Sequence, residues 1–229
     1  MAICTFVVGP SGQGKSTSIE NLDPETTFIF SVTGKPLPFR GAKNYSSENK
    51  NYIDLSKSKS KADNIIKLLD KIGKSDRFDV VVVDDFQYLM SMEFMDRCQE
   101  AGWDKFTEIG LHAYDVLRAL QDNLPDHMKA FVLGHDEVIK TGLKSTRKVK
   151  TIGKMLDDKI ELEGLFTIVL FTSFRPDKSE VSEKYRFVTQ TDGETTAKSP
   201  KGMFEDLEIP NDFQYVKEKI DEYYGINQN

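Results

Sequence analysis

Nine consecutive residues near the amino terminus, Gly9-Pro10-Ser11-Gly12-Gln13-Gly14-Lys15-Ser16-Thr17, have the types and spacing of a phosphate cradle. Glycines let backbone N–H groups converge on oxygen atoms that a side chain would block, and they reach dihedrals closed to other residues. Lys15 supplies a mobile cation for the terminal phosphates of a nucleotide and so counts among the catalytic groups. The Ser16 hydroxyl suits Mg²⁺. The chemistry implied is the binding of a nucleoside triphosphate, ATP, with Mg²⁺ as its cofactor metal.

A phosphate loop of this kind needs an acid for the metal, and residues 77–86 (RFDVVVVDDF) contain one. Four valines make an apolar run, and Asp84 and Asp85 stand at its carboxyl end, the edge at which open α/β sheets bind ligands. Asp84 is the expected metal partner, and Asp85 is placed to polarise a water. Residues 128–137 (MKAFVLGHDE) form another apolar run, broken at Gly134. His135 just beyond it is the candidate sensor of a terminal phosphate. His112 and His127 fall on a helix and in a loop and carry no such expectation.

Lysine and arginine crowd residues 140–155 (KTGLKSTRKVKTIGKM) with no acid among them, in a chain whose net charge is −6. Lys144, Arg147, Lys148, Lys150 and Lys154 are read as a mobile basic loop. Three readings stay open: it grips a nucleic-acid backbone, it sends a cation into a neighbouring subunit's nucleotide site, or it is only solvated. Residues 86–99 (FQYLMSMEFMDRCQ) are rich in methionine and aromatics. They suit a core helix or a surface that packs on bases or on another subunit.

These residues need a frame to hold them. Strands are predicted at 2–8, 26–32, 78–84, 129–134 and 165–174. A helix is expected to start at about Gly14, its dipole facing the anion. Others are expected over 61–73 and 104–124, where apolar residues recur at helical spacing. Strands alternating with helices predict an α/β fold, a mostly parallel sheet with helices on both faces. The helix and strand spacing suits P-loop proteins whose sensor strand lies between the phosphate-loop strand and the acidic strand. Residues 183–200 read as a β-hairpin and 211–225 as a helix capped by Asn211 or Asp212 and ended by Gly225. The chain then divides into a nucleotide-binding core over 1–175 and a C-terminal hairpin and helix over 176–229, packed together as one structural domain.

Composition sets outer limits. The hydrophobic share of 38% and charged share of 30% suit a water-soluble protein. The two cysteines, Cys4 and Cys98, make neither a disulfide framework nor a zinc spacing, which favours a reducing, cytoplasmic setting. No apolar run has the length of a membrane span.

Taken together, GPSGQGKS, SVTGKPLPFRG, VVVVDDFQYLM, LGHDE, KTIGKMLDDKI and AKSPKGMFED with IPNDF resemble small phage-encoded ATP-binding proteins with a RecA-like core, found in phage recombination cassettes. The likeness runs from about residue 3 to about residue 224. It implies a DNA-stimulated ATPase that binds single-stranded DNA and promotes annealing or recombination. It also implies a homo-oligomeric ring or filament, a phage or host single-strand-binding protein as a partner, and the host cytoplasm as location. One position departs from that pattern. RecA-like ATPases usually carry a catalytic glutamate at the end of the strand after the first helix, where this chain has Ser31, Thr33 and Lys35. Either Asp85 serves as the base, or ATP acts mainly as an assembly switch with little turnover. A P-loop kinase for a small acceptor is the remaining alternative.

Overall fold

Apolar, β-branched runs with no polar alternation are the mark of parallel strands buried on both faces. A computed structural model describes residues 1–142, 144–150 and 161–226, without the side chains of Thr141, Lys144 and Ser182. Its strands are β1 (Ile3–Val8), β2 (Thr27–Ser31), β3 (Tyr52–Asp54), β4 (Val80–Asp84), β5 (Lys129–Gly134), β6 (Asp136–Thr141), β7 (Lys144–Val149), β8 (Ile168–Phe174), β9 (Tyr185–Val188) and β10 (Glu208–Pro210). Its helices are α1 (Lys61–Ile72), α2 (Tyr88–Asp96), α3 (Asp104–Asp122), the single turn α4 (Val181–Lys184) and α5 (Phe213–Tyr224).

Eight strands make one sheet in the order β10-β9-β8-β1-β5-β4-β2-β3. The pairs from β8 through to β3 are all parallel, and β9 joins β8 antiparallel. The fold is therefore the α/β class expected, a mostly parallel sheet with helices on both faces. The strand that ends at His135, β5, lies between the phosphate-loop strand β1 and the acidic strand β4, as the spacing predicted.

The alternation within β1 feeds two cores. Cys4, Phe6 and Val8 face the layer of α1, α2 and α3, with Leu69, Val116 and Leu120. Val7 faces the other layer, with Ile19, Leu22 and the Phe213, Val216 and Ile220 stripe of α5. Phe213 stacks on Phe131 of β5 at 4.3 Å between ring centres. Lys129, fully buried at the start of β5, is ion-paired with Asp221 of α5. Asp212 is the cap of α5, accepting a hydrogen bond from the Gln214 N–H, and Gly225 ends the helix at φ +66°.

Four local expectations change. No α-helix follows the phosphate loop: Thr17–Ile19 is one 3₁₀ turn. The Ser18 hydroxyl donates to the Lys15 carbonyl at 2.5 Å, competing with the helical ladder, and Pro24 closes the segment soon after. The basic stretch is not a loop at its start. Asp136–Thr141 and Lys144–Val149 form the antiparallel pair β6–β7, with Gly142 between them at φ +62°. The hairpin expected over 183–200 does not form: β9 pairs antiparallel with β10, a strand beyond residue 200, and Thr195 and Lys198 bridge Arg147 and Val169 instead. The turn at Asp192 and Gly193 exists within that connection, where Asp192 Oδ1 accepts from the N–H groups of Glu194 and Thr195. Finally β3 adds an edge strand that its short, polar sequence did not announce.

Candidate active site at the carboxyl edge of the sheet

Strands β1, β4 and β5 end side by side, and their parallel register brings three sequence-distant segments into one cleft of about 790 Å³. That volume lies in the range of small-ligand sites. Ser11, Gly12, Gly14 and Lys15 line it together with Asp84, Asp85 and His135. Gly12 and Gly14 sit at φ +80° and +82°, the left-handed region that favours glycine. Gly9 is required for a different reason: a Cβ there would lie 1.7 Å from Thr172 Oγ1 at the end of β8.

Lys15 is buried and curls over its own loop. Its Nζ donates to the Gly9 carbonyl at 2.7 Å and to the Pro10 carbonyl at 3.0 Å. Burial pulls its pKa down, opposed by Asp85, Asp84 and Asp136. A desolvated ammonium beside loop carbonyls is poised to accept an anion. Gln13 turns the other way, its Oε1 accepting from Thr172 Oγ1 at 2.9 Å, and thereby ties the loop to β8.

The Ser16 hydroxyl donates to Asp84 Oδ1 at 2.9 Å. The two groups expected to share a metal thus already touch. Burial, then the neighbouring Asp85 charge, pushes the Asp84 carboxyl up to about 6, against the pull of Ser16, Lys15 and Lys35. A hydroxyl and a carboxylate at this separation, beside phosphate-facing amides, fit Mg²⁺ held with a nucleotide. Among the described residues no cluster of three His, Cys, Asp or Glu side chains could hold a metal unaided.

Asp85 has φ +64°, unusual for a residue with a side chain and the kind of strain that persists where surroundings enforce it. Three groups enforce it. Thr33 Oγ1 donates to Oδ2 at 2.8 Å, Lys35 Nζ donates to the same oxygen at 3.1 Å, and His135 Nε2 stands 3.7 Å from Oδ1. Burial raises the Asp85 pKa, but the nearby His135 ring and the hydrogen bonds from Thr33 and Lys35 outweigh it and hold the carboxyl well below the usual carboxylate range. His135 itself is fixed through its backbone: its N–H donates to Gln87 Oε1 at 3.1 Å, and its carbonyl accepts from the Lys150 N–H at 2.8 Å.

The family can now be stated. The whole of this apparatus falls inside residues 1–200, which match the model of the AAA domain. The chain belongs to the AAA domain family. Membership of the AAA domain family supports ATP binding. No curated protein matches the sequence. The KaiC-like protein of the hyperthermophilic archaeon Pyrococcus horikoshii is a similar solved structure, with a TM-score of 0.49 and 9% identity over 91% of this chain and 84% of that one. No described helix of the AAA domain is long and apolar enough to cross a membrane.

The basic residues separate. Arg147 on β7 points into the protein: Nε donates to Asp136 Oδ2 at 2.6 Å, an Nη donates to the Thr172 carbonyl at 3.2 Å, and the guanidinium lies over Phe171. It fastens the β6–β7 hairpin to β8. Lys148 stands 3.9 Å from Glu137 across the hairpin, and Lys150 is exposed at its foot. Lys154 and the side chain of Lys144 lie outside the described residues. Gln87 and Thr172 were not singled out from the sequence, and Thr33 and Lys35 were noted only as standing where an acid was missing. The strand-end segment Thr33-Gly34-Lys35 carried the available signal, a hydroxyl and a cation flanking a glycine at φ +67°.

Proposed function

We propose that this AAA domain is a Mg²⁺-dependent ATPase that works on single-stranded DNA, promoting annealing or recombination as a homo-oligomer. The observation that carries the ATPase reading is the Ser16–Asp84 hydrogen bond, which supports a metal site between the phosphate loop and Asp85. Lys15 and the loop amides hold the phosphates. Mg²⁺, held by Ser16 and Asp84, neutralises phosphate charge. Asp85, kept ionised and immobile, orients the attacking water, and His135 stands beside it at the terminal-phosphate end.

What supports DNA as the effector is the placement of the β6–β7 hairpin. Its root is His135: β6 starts one residue later, and Lys150 returns to bond the His135 carbonyl. A second recess of about 300 Å³ is lined by Pro10, Tyr88, His135 and Lys150, so the basic hairpin and the nucleotide cleft share a wall. A polyanion gripped by the hairpin lysines bears directly on the residue beside Asp85.

One observation favours a second reading, an ATP-dependent assembly switch with little turnover: the end of β2 offers Thr33 and Lys35 in place of an acid, and both restrain Asp85. Phosphate release with Mg²⁺-ATP, with and without single-stranded DNA, decides between them, with Lys15→Ala as control. DNA-stimulated release that vanishes in the variant is expected. No release under either condition, with ATP-dependent oligomers still forming, selects the switch.

A further inference from the structure

The strand that carries His135 ends among backbone ties. The Leu133 carbonyl accepts from the Phe86 N–H at 2.8 Å, and the Gly134 carbonyl accepts from the Gly9 N–H at 3.2 Å. These bonds join the end of β5 to the segment after Asp85 and to the phosphate loop. One residue further the pattern changes. The left-handed turn at Asp85 takes the chain out of the sheet after β4, and the His135 N–H bonds a side chain instead, donating to Gln87 Oε1 at 3.1 Å.

Gln87 is built to hold that position. It is buried at the N-cap of α2, and its carbonyl accepts from the Ser91 N–H at 3.2 Å, so the first turn of the helix fixes its backbone. Its side chain makes no capping bond to its own helix, which leaves the carboxamide oxygen for β5. Tyr88, the next residue, meets the His135 ring edge-on at 6.1 Å between ring centres. The turn after Asp85 therefore holds the histidine at both backbone and ring. The outcome is a His135 Nε2 that stands 3.7 Å from Asp85 Oδ1, just beyond hydrogen-bond range. At that separation a small shift of the His135 backbone makes or breaks the contact.

We infer that Gln87 is a positioning residue: it sets the distance between His135 and Asp85, and through His135 it acts on the hydrolytic step. This inference rests on the ATPase reading of the cleft and adds to it a residue that does not line the nucleotide cleft itself.

Gln87→Met keeps the length of the side chain and removes the acceptor. In the full chain with Mg²⁺-ATP it should slow single-turnover phosphate release about fivefold to tenfold, the factor that corresponds to one ordinary hydrogen bond, while nucleotide affinity stays within about twofold. The deciding comparison is a double-mutant cycle with His135→Ala. A residue that works through the histidine has no further effect once the ring is gone, so Gln87→Met should leave the His135→Ala rate where it is. A Gln87 that only fills its place in the fold would slow both backgrounds by the same factor. Unchanged release in Gln87→Met, or an equal fractional loss with and without the His135 ring, would overturn the inference. Should Gln87→Met fail to fold, Gln87→Asn, which withdraws the acceptor by shortening the side chain, takes its place in the cycle. Wild-type turnover that is indifferent to Gln87 sinks this inference alone, whereas a wild type that binds Mg²⁺-ATP and releases no phosphate sinks the ATPase reading and this with it.

Discussion

Lys35 Nζ and Asp85 Oδ2 stand 3.1 Å apart, joining the end of β2 to the end of β4 across the nucleotide cleft. The lysine is the mobile member, its side chain 64% exposed against 11% for the aspartate. It occupies the strand end at which RecA-like ATPases usually carry a glutamate. On the proposed ATPase reading the acid of this site is Asp85 at the end of β4, and the groups that aim it, Thr33 and Lys35, follow β2. Lys35 also lies 5.1 Å from the centre of the Tyr88 ring, which limits where its ammonium can go.

Lys35→Met is expected to lower turnover about tenfold, less than the roughly 100-fold or more attributed to a positioned acid or base itself, since Lys35 only aims Asp85, while nucleotide affinity moves by less than about threefold. Single-turnover phosphate release beside equilibrium binding separates the two effects. An unchanged rate would remove Lys35 from the positioning of Asp85. A large loss of affinity with an unchanged rate would make it a binding residue only.

Asp84 gives the site a pH dependence of definite sign. Its carboxyl is pushed up to about 6, so the folded protein without ligand holds this proton more tightly than the unfolded chain does. The associated stability is present at low pH and is lost as pH rises from the ordinary carboxylate range through about 6. Metal binding needs the carboxylate and runs the opposite way. Mg²⁺ affinity of the nucleotide complex should rise about tenfold between pH 5 and 7 and then level off. The reference is Asp84→Asn, in which both effects disappear after subtraction of the nucleotide's own titration. A wild-type profile that superimposes on the variant's would show that Asp84 does not titrate in this range.

The contact between Gly9 and Thr172 is a steric prediction with an internal rescue. A Cβ at position 9 meets Thr172 Oγ1 at 1.7 Å and Cγ2 at 3.0 Å. Gly9→Ala should cost about 1–3 kcal/mol by overpacking and loosen the Gln13–Thr172 tie. Thr172→Ala removes both atoms, so the double variant should recover part of the loss, a coupling visible in a denaturant double-mutant cycle. Strict additivity of the two changes would place the strain elsewhere.

How far the sequence reached follows from what each signal encodes. The valine run before Asp84 and the Phe6–Val8 run before Gly9 read correctly as strands because burial on both faces leaves one composition. Ser16, Asp84, Asp85 and His135 converge because all stand at the carboxyl ends of parallel neighbours, which strand order alone supplies. The β6–β7 hairpin was hidden by its composition. Its charged residues mimic a solvated loop, and the element exists because Arg147 pairs with Asp136 and covers Phe171, contacts formed only once β8 is in place. The missing helix after Ser16 was illegible for a related reason: helical spacing was there, and the Ser18 hydroxyl captured the Lys15 carbonyl instead. Lys35 was noted only as standing where an acid was missing, because its contact is with Asp85, a partner far away in the chain.

The hairpin's cations divide into one anchor, Arg147, and the lysines proposed to hold DNA, and the two kinds should fail differently. Arg147→Ala removes a pair whose aspartate side is 8% exposed and whose arginine side is 25% exposed. It should destabilise the protein by about 1–3 kcal/mol, less than a fully buried pair, and weaken DNA binding indirectly. Replacing Lys144, Lys148 and Lys150 together by glutamine should leave the melting temperature nearly unchanged. DNA affinity should fall, and the log–log salt slope for single-stranded DNA should shrink by about 2, the value for three lost phosphate contacts at about 0.7 each. Fluorescence anisotropy over a salt series, run beside a thermal melt, resolves the two classes. A salt slope unaltered in the triple variant would take DNA off this hairpin, whatever happens to ATP binding.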